Sequence, residues 1–101
     1  MVRLTVQWTE RALTQLQEIG AYIALENQDA AQALIQRVIE MTDRLQAFPK
    51  SGRKLPEFPA FPHRELIIPP CRVVYRVEAR TALILYVART ERLLRRSHLT
   101  G

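Results

Sequence analysis

One cysteine, three glycines and two histidines are all that this chain of 101 residues holds of the residue types much enzyme chemistry relies on. With Cys71 alone, no intrachain disulfide can form and no cysteine cage for a metal exists. Gly20, Gly52 and Gly101 are too scattered to make a glycine-rich phosphate cradle. His63 and His98 have no carboxylate or thiol at ligand spacing, so neither a metal nor a cofactor is expected. Ser51 and Ser97 have no histidine and acid at a spacing that would suggest a nucleophilic triad. No apolar run reaches the roughly 18 residues that a membrane span needs. The opening Met1-Val2-Arg3-Leu4-Thr5-Val6 lacks the apolar stretch and small-residue cleavage site of a secretion signal. These absences predict a cytoplasmic protein without a membrane segment.

What is present is an ordinary apolar fraction, 48%, in a chain of single-domain length, so one domain over residues 1–101 is expected. The net charge of +5 is unevenly spread. Residues 1–49 carry four Lys or Arg and six acids, whereas residues 50–101 carry eleven and four, which is −2 against +7. The cationic half serves either general solubility or an anionic partner, nucleic acid or an acidic protein.

Residues 3–8 alternate, with Leu4, Val6 and Trp8 on one face, as in a half-buried strand. Thr9 then suits a helix N-cap. Ala12, Leu13, Leu16, Ile19 and Ile23 recur at helical spacing, predicting a helix from about Glu10 to Leu25. A second helix is predicted from Ala30, capped by Asp29, to about Ala47, with Ala31, Leu34, Ile35, Val38, Met41, Thr42 and Leu45 as its apolar stripe. So short a turn forces an antiparallel helical hairpin, and its wide apolar faces call for a sheet to pack on. Residues 48–62, with four of the six prolines, read as an irregular loop that Phe48, Phe58 and Phe61 pin to the core. Strands follow at Arg64–Ile68, ended by Pro69-Pro70, at Arg72–Val77 and at Ala82–Val87. In the last, Tyr86 is expected to face opposite to Leu85. The basic tail from Arg89 has room for one or two helical turns, or is a frayed solvated end with His98 mobile on its surface. The resulting class is α+β: an N-terminal strand, then an antiparallel helical hairpin packed on a small, mainly antiparallel sheet, in the order β-α-α-β-β-β.

The chemistry left open is that of arginine and lysine. Arg64, Arg72 and Arg76, flanked by Lys50, Arg53 and Lys54, have the charge to hold phosphates and to stabilise a phosphorane in metal-free RNA cleavage. They equally suit recognition of a protein or a nucleic-acid backbone. Cleavage also requires a group to take the 2′-hydroxyl proton. Tyr75 and Tyr86 read as packed aromatics, which leaves no evident base.

Trp8-Thr9-Glu10-Arg11-Ala12, Leu16 to Ile23, Asn27-Gln28-Asp29-Ala30-Ala31, Leu45 to Arg53, Arg64-Glu65-Leu66, Arg72 to Val77 and Leu83 to Val87 form an ordered succession. Together it resembles the ParE/RelE toxin superfamily over nearly the whole chain. The resemblance implies a RelE/ParE-like fold and a toxin neutralised by a cognate ParD-like antitoxin, in a toxin–antitoxin hetero-oligomer. It implies one of two activities: inhibition of DNA gyrase, which blocks replication, or ribosome-dependent cleavage of mRNA. Arg72 matches an arginine of the ribonuclease branch, with Lys54 and Arg64 as its companions if the chain were such an enzyme. Where that branch has a phosphate-binding arginine after the last strand, Thr90 stands here. Arg96 stands where it has a terminal tyrosine. Where many ParE-type chains read VLHGRR, this one reads Val87-Ala88-Arg89-Thr90-Glu91-Arg92, with Arg89 replacing the histidine. The balance favours gyrase, with Arg72, Arg76, Arg89, Arg92, Arg95 and Arg96 as target-binding residues and no catalytic residue. A non-toxic member acting as co-repressor with its antitoxin is a third possibility.

Overall fold

A computed structural model describes residues 3–100. Met1, Val2 and Gly101, on which part of the reading of the termini rests, lie outside the described residues. The strands are β1 (Thr5–Trp8), β2 (Arg53–Lys54), β3 (Arg64–Ile68), β4 (Cys71–Glu78) and β5 (Thr81–Arg89), and the helices are α1 (Glu10–Ala24) and α2 (Gln28–Asp43). They form a five-stranded sheet in the order β1-β5-β4-β3-β2. Only the β1–β5 pair is parallel. The predicted α+β class and order hold, with β2 as the one added strand.

The side-chain hydroxyl of Thr9 caps α1 by accepting from the Ala12 amide at 3.1 Å. The cap of α2 is Asn27 and not Asp29: its Oδ1 accepts from the Ala30 amide at 3.0 Å, which places Asp29 in the first turn. There its charge favours the positive end of the helix dipole. At the other end α2 gives way after Asp43 to a tighter 3₁₀ turn over Arg44–Gln46. The two helices cover one sheet face. Ala12, Leu16, Leu34, Val38 and Leu45 pack there on Leu66, Ile68, Val73, Tyr75, Ala82, Ile84 and Val87. Cys71 lies in this core too, where burial raises its thiol pKa.

The opposite face has its own apolar cluster. Leu94 and Leu99 from the chain's end close over Leu55, Val74, Leu85, Tyr86 and Ala88, with Phe58 and Phe61 beside them. The tail is therefore an ordered strap ending in a 3₁₀ turn at Arg96–Leu99. Phe58 and Phe61 do pin the proline loop, but Phe48 is 59% exposed.

Within β5 the alternation breaks. Val74 stands opposite Tyr86 and Tyr75 opposite Ile84, so Leu85 is the extra residue of a bulge. Leu85 and Tyr86 consequently belong to the same cluster, on the face away from the helices. The expectation that they face opposite ways fails because a bulge shifts the two-residue period by one.

Candidate docking surface

At the bulge, Arg11 takes the Leu85 carbonyl. From the first turn of α1, Arg11 donates from Nε and Nη2 to the Leu85 oxygen at 3.3 and 3.1 Å. It also reaches the strap, donating to the carbonyls of Ser97 at 3.3 Å, His98 at 3.0 Å and Thr100 at 2.6 Å. A cation in the first turn of a helix opposes the helix dipole, so it needs acceptors elsewhere. That mismatch is the signal in the sequence that could have singled out Arg11. Its guanidinium lies 5.2 Å from the Tyr86 ring centroid. Tyr86 in turn stacks on His98, with centroids 4.1 Å apart. His98 is thus a packed part of the strap and not a mobile surface residue. Its Nδ1 accepts from the Arg95 amide at 3.0 Å. Burial, then repulsion from Arg92, Arg11 and Arg95, lowers its pKa.

Beneath the strap lies Arg72, only 4% exposed. Its Nε donates to Glu65 Oε1 at 2.7 Å, and Nη1 and Nη2 grip both Glu57 oxygens at 2.7 and 2.8 Å. Nη1 also donates to the Arg92 carbonyl at 2.9 Å. Four of its five donors are thereby spent inside the protein. Glu65, 1% exposed, takes a second cation on Oε2 from Arg53 at 2.8 Å. Arg72 thus carries no free donor edge for an outside phosphate or protein in this arrangement. Two carboxylates distant in sequence hold it there.

The carboxylate beside Arg72 is the group that proton abstraction would call for, and it is poorly suited. Arg72 holds the Glu57 pKa at about 2, against an ordinary 4.5, with the Leu94 amide helping. Oε2 accepts that amide at 2.9 Å as well as Arg72. So acidic a carboxylate is a weak base near neutral pH. Tyr75 is fully buried, and its hydroxyl donates to the Pro49 carbonyl at 2.7 Å while accepting from the Gly52 amide at 3.0 Å. His63 is buried with Nε2 donating to the Leu99 carbonyl at 3.0 Å, and burial depresses its pKa. Lys54 and Arg64 are cross-strand partners that line one cleft, and Arg72 is not in its wall.

The surface that remains open runs between α1 and the end of β5. A cleft of about 370 Å³ is walled by Gln15, Glu18, Ile19, Tyr86, Val87, Ala88, Arg89, Glu91 and Arg92. It adjoins a second cleft of about 390 Å³ that shares Arg89 and is edged by Tyr22, Leu25 and Pro70. Tyr22 is 69% exposed and Leu25 81%. Two apolar side chains so exposed at the border of an open cleft mark a surface suited to contact. Of the six target-binding arginines expected, Arg89, Arg92, Arg95 and Arg96 are exposed. They do not form one patch. Arg89 and Arg92 wall the α1–β5 cleft, whereas Arg96 lies over the Phe61 ring at 5.6 Å from its centroid. Arg76 is half-buried, paired with Glu78 at 2.6 Å. Among the described residues no cluster of His, Cys, Asp and Glu could hold a metal ion.

The sequence and the fold both have known relatives. Residues 6–94 match the family described as ParE toxin of type II toxin-antitoxin system, parDE. A solved structure titled as the chromosomal ParDE toxin–antitoxin system from P. aeruginosa superimposes with a TM-score of 0.69 at 26% identity, covering 88% of this chain and 98% of that one. The fold alone is shared with E. coli RelE in the free state, at TM-score 0.54 and 17% identity over 88% of this chain and 85% of that one. The curated protein provisionally named toxin Y4kP, from Sinorhizobium fredii, is 45% identical over 53 residues, 52% of this chain and 55% of that protein. The chain thus spans about half the length of that curated relative. With the family model matched over residues 6–94, the chain belongs to the ParE toxin family of type II toxin–antitoxin systems.

Proposed function

We propose that this chain inhibits DNA gyrase as the toxin of a type II pair, acting in the cytoplasm, and is held silent by a ParD-like antitoxin. The observation that supports this most is the commitment of Arg72. The arginine that would serve a ribonuclease is neutralised by Glu57 and Glu65 beneath a packed strap. The α1–β5 cleft, by contrast, is open, with Arg89 and Arg92 exposed on its wall. A surface with basic anchors and an apolar border is all that a protein target requires. Arg89 and Arg92 act there as anchors, with Arg95 and Arg96 extending the positive potential that steers the toxin to its target.

The antitoxin covers the apolar border of the same surface, Tyr22 and Leu25, which would otherwise stay in water. Two of the structures sharing this fold support such a pairing. One is titled a ParDE system and another the toxin–antitoxin complex RelBE2 from Mycobacterium tuberculosis, the latter at 23% identity and TM-score 0.61 over 87% of this chain and 99% of that one.

The deciding experiment adds purified toxin to gyrase and relaxed plasmid, and in parallel to ribosomes translating a defined message. Supercoiling is expected to stop while the message stays intact. The Arg89→Ala/Arg92→Ala variant is expected to require at least about tenfold more toxin, since hot-spot truncations typically exceed 1 kcal/mol. Cut message with supercoiling unaffected would replace this proposal with the ribonuclease, and inactivity in both assays would leave the co-repressor.

A further inference from the structure

Cations elsewhere in the molecule differ in whether an acid answers them. Arg53, Arg72, Arg76 and Arg89 each have a carboxylate partner. Lys50, Lys54 and Arg64 have none within 4.0 Å among the described residues. All three line one cleft of about 310 Å³, together with Arg76. This cleft is separate from the one between α1 and β5.

The sheet's corner makes it. Arg64 opens β3 opposite Tyr75, so Arg76, Val77 and Glu78 of β4 run on with no β3 partner. Lys54, opposite Arg64, ends β2 at the same corner. Pro49 and Pro62 stiffen the two sides of the resulting notch. Two cations in it are aimed without being neutralised. Arg64 Nη1 donates to the Gly52 carbonyl at 2.9 Å, and Lys54 Nζ to the Phe61 carbonyl at 3.1 Å. Each carbonyl fixes the direction of a side chain whose remaining donors stay free. Arg76 adds a buried Nε with no hydrogen-bond acceptor in the protein. Buried as it is, that atom is out of a ligand's reach, and Glu78 answers the Arg76 charge, so the free charge of the notch is that of Lys50, Lys54 and Arg64.

We infer that this notch binds phosphates of a nucleic-acid backbone. Three unpaired cations held together repel one another, and a run of phosphates relieves that repulsion by giving each its own anion. The walls supply charge without a flat aromatic face: Tyr75 is buried with its hydroxyl already engaged. Bases therefore have nothing to stack on and nothing that reads their edges, so binding is to the backbone and independent of sequence. A free nucleotide, which depends on a base pocket for much of its affinity, fits this notch poorly. The inference stands apart from the gyrase proposal, since it concerns other residues and a different assay.

The test is fluorescence anisotropy of labelled 20-base-pair DNA duplexes of two unrelated sequences, titrated with the purified chain between 50 and 200 mM salt. Both duplexes are expected to bind alike, with affinity falling as salt rises. In Lys50→Gln/Lys54→Gln, both positions being exposed, the slope of log K against log salt is expected to shrink by about 1.8, about 0.9 for each phosphate no longer neutralised. Arg37→Gln/Arg44→Gln, on α2 and the 3₁₀ turn that follows it, neither lining the notch, is expected to leave the slope unchanged. An unaltered slope in Lys50→Gln/Lys54→Gln would overturn the inference, as would an equal decrease in Arg37→Gln/Arg44→Gln. So would competition by polyglutamate as effective as that by unlabelled DNA at equal charge, which would make the ligand an acidic protein segment.

Discussion

Gly52 and Glu57 are the two residues whose roles are sharpest, and neither belongs to an exposed surface. A Cβ at position 52 would lie 2.6 Å from the Tyr75 hydroxyl oxygen and 2.8 Å from the Glu65 carbonyl oxygen. The latter is backbone of a paired strand and cannot move aside cheaply. Gly52→Ala is therefore expected to cost about 1–3 kcal/mol, as overpacking does, read as a lower urea midpoint with an unchanged m-value. Glu57 ties stability to acidity. Folding drops its pKa from 4.5 to about 2, so the folded chain gives up that proton more readily than the unfolded one. The resulting stabilisation is complete above the unfolded value and disappears as pH falls from about 4.5 towards 2. Glu57→Gln is expected to be less stable than the parent at pH 7 and to converge with it near pH 2. Parallel urea-midpoint curves across that range would sink the assignment. By the same logic Arg72→Ala leaves Glu65, 1% exposed, short of one of its two cations, a loss of roughly 3–5 kcal/mol for a broken buried pair. A missing activity in that variant would report unfolding before it reported a target.

At the scale of elements, the strap over the second sheet face depends on one side chain of α1. Among the described residues, Arg11 alone gathers the carbonyls of Leu85, Ser97, His98 and Thr100 at once. Arg11→Ala is expected to speed amide exchange in residues 94–100 by at least about tenfold. The β3–β4 amides should keep their protection, because local opening samples the strap without the sheet. Equal acceleration in both segments would mean that the strap is not a separate unit. How far such elements can be seen in the sequence depends on whether their cause is local. β3 was readable to the residue because Arg64 to Ile68 ends at two prolines. The Thr9 cap was readable because hydroxyl and helix lie side by side. The two residues of β2 have no alternation to display and are strand only through their pairing with Glu65 and Arg64. The Leu85 bulge hides in an unbroken apolar run, where a shift of one residue changes no residue class. In the candidate site, the exposed arginines from Arg89 to Arg96 stood out by charge alone. The burial of Arg72 did not, since Glu57 lies 15 residues away across a proline loop.

The whole molecule is a sheet with an apolar cluster on either face, and the second cluster closes only with the chain's last residues. Leu94 and Leu99 are 5% and 3% exposed. Leu94 gives its amide to Glu57, and Leu99 offers its carbonyl to His63. Ending the chain after Glu91 removes both leucines, three of the Arg11 acceptors and the Arg92 carbonyl that Arg72 uses. The two leucines alone are worth about 3–6 kcal/mol at 1.5–3 kcal/mol each. That is a large part of the 5–15 kcal/mol typical of a domain. At about 4–8 °C per kcal/mol for this size, the truncated chain is expected to melt at least about 12 °C lower and to bind a dye that detects exposed apolar surface. A melting point within about 3 °C of the full chain would show that the strap carries no stability. The consequence reaches the docking surface. Arg92, Arg95 and Arg96 sit on the same segment as the two leucines, so deleting the tail removes core residues and proposed docking residues together. Only point substitution of those arginines, with Leu94 and Leu99 kept, can separate a missing target from a damaged core. Each such substitution is expected to move the melting point by no more than about 4 °C, because exposed substitutions away from special features usually change stability by under 0.5 kcal/mol.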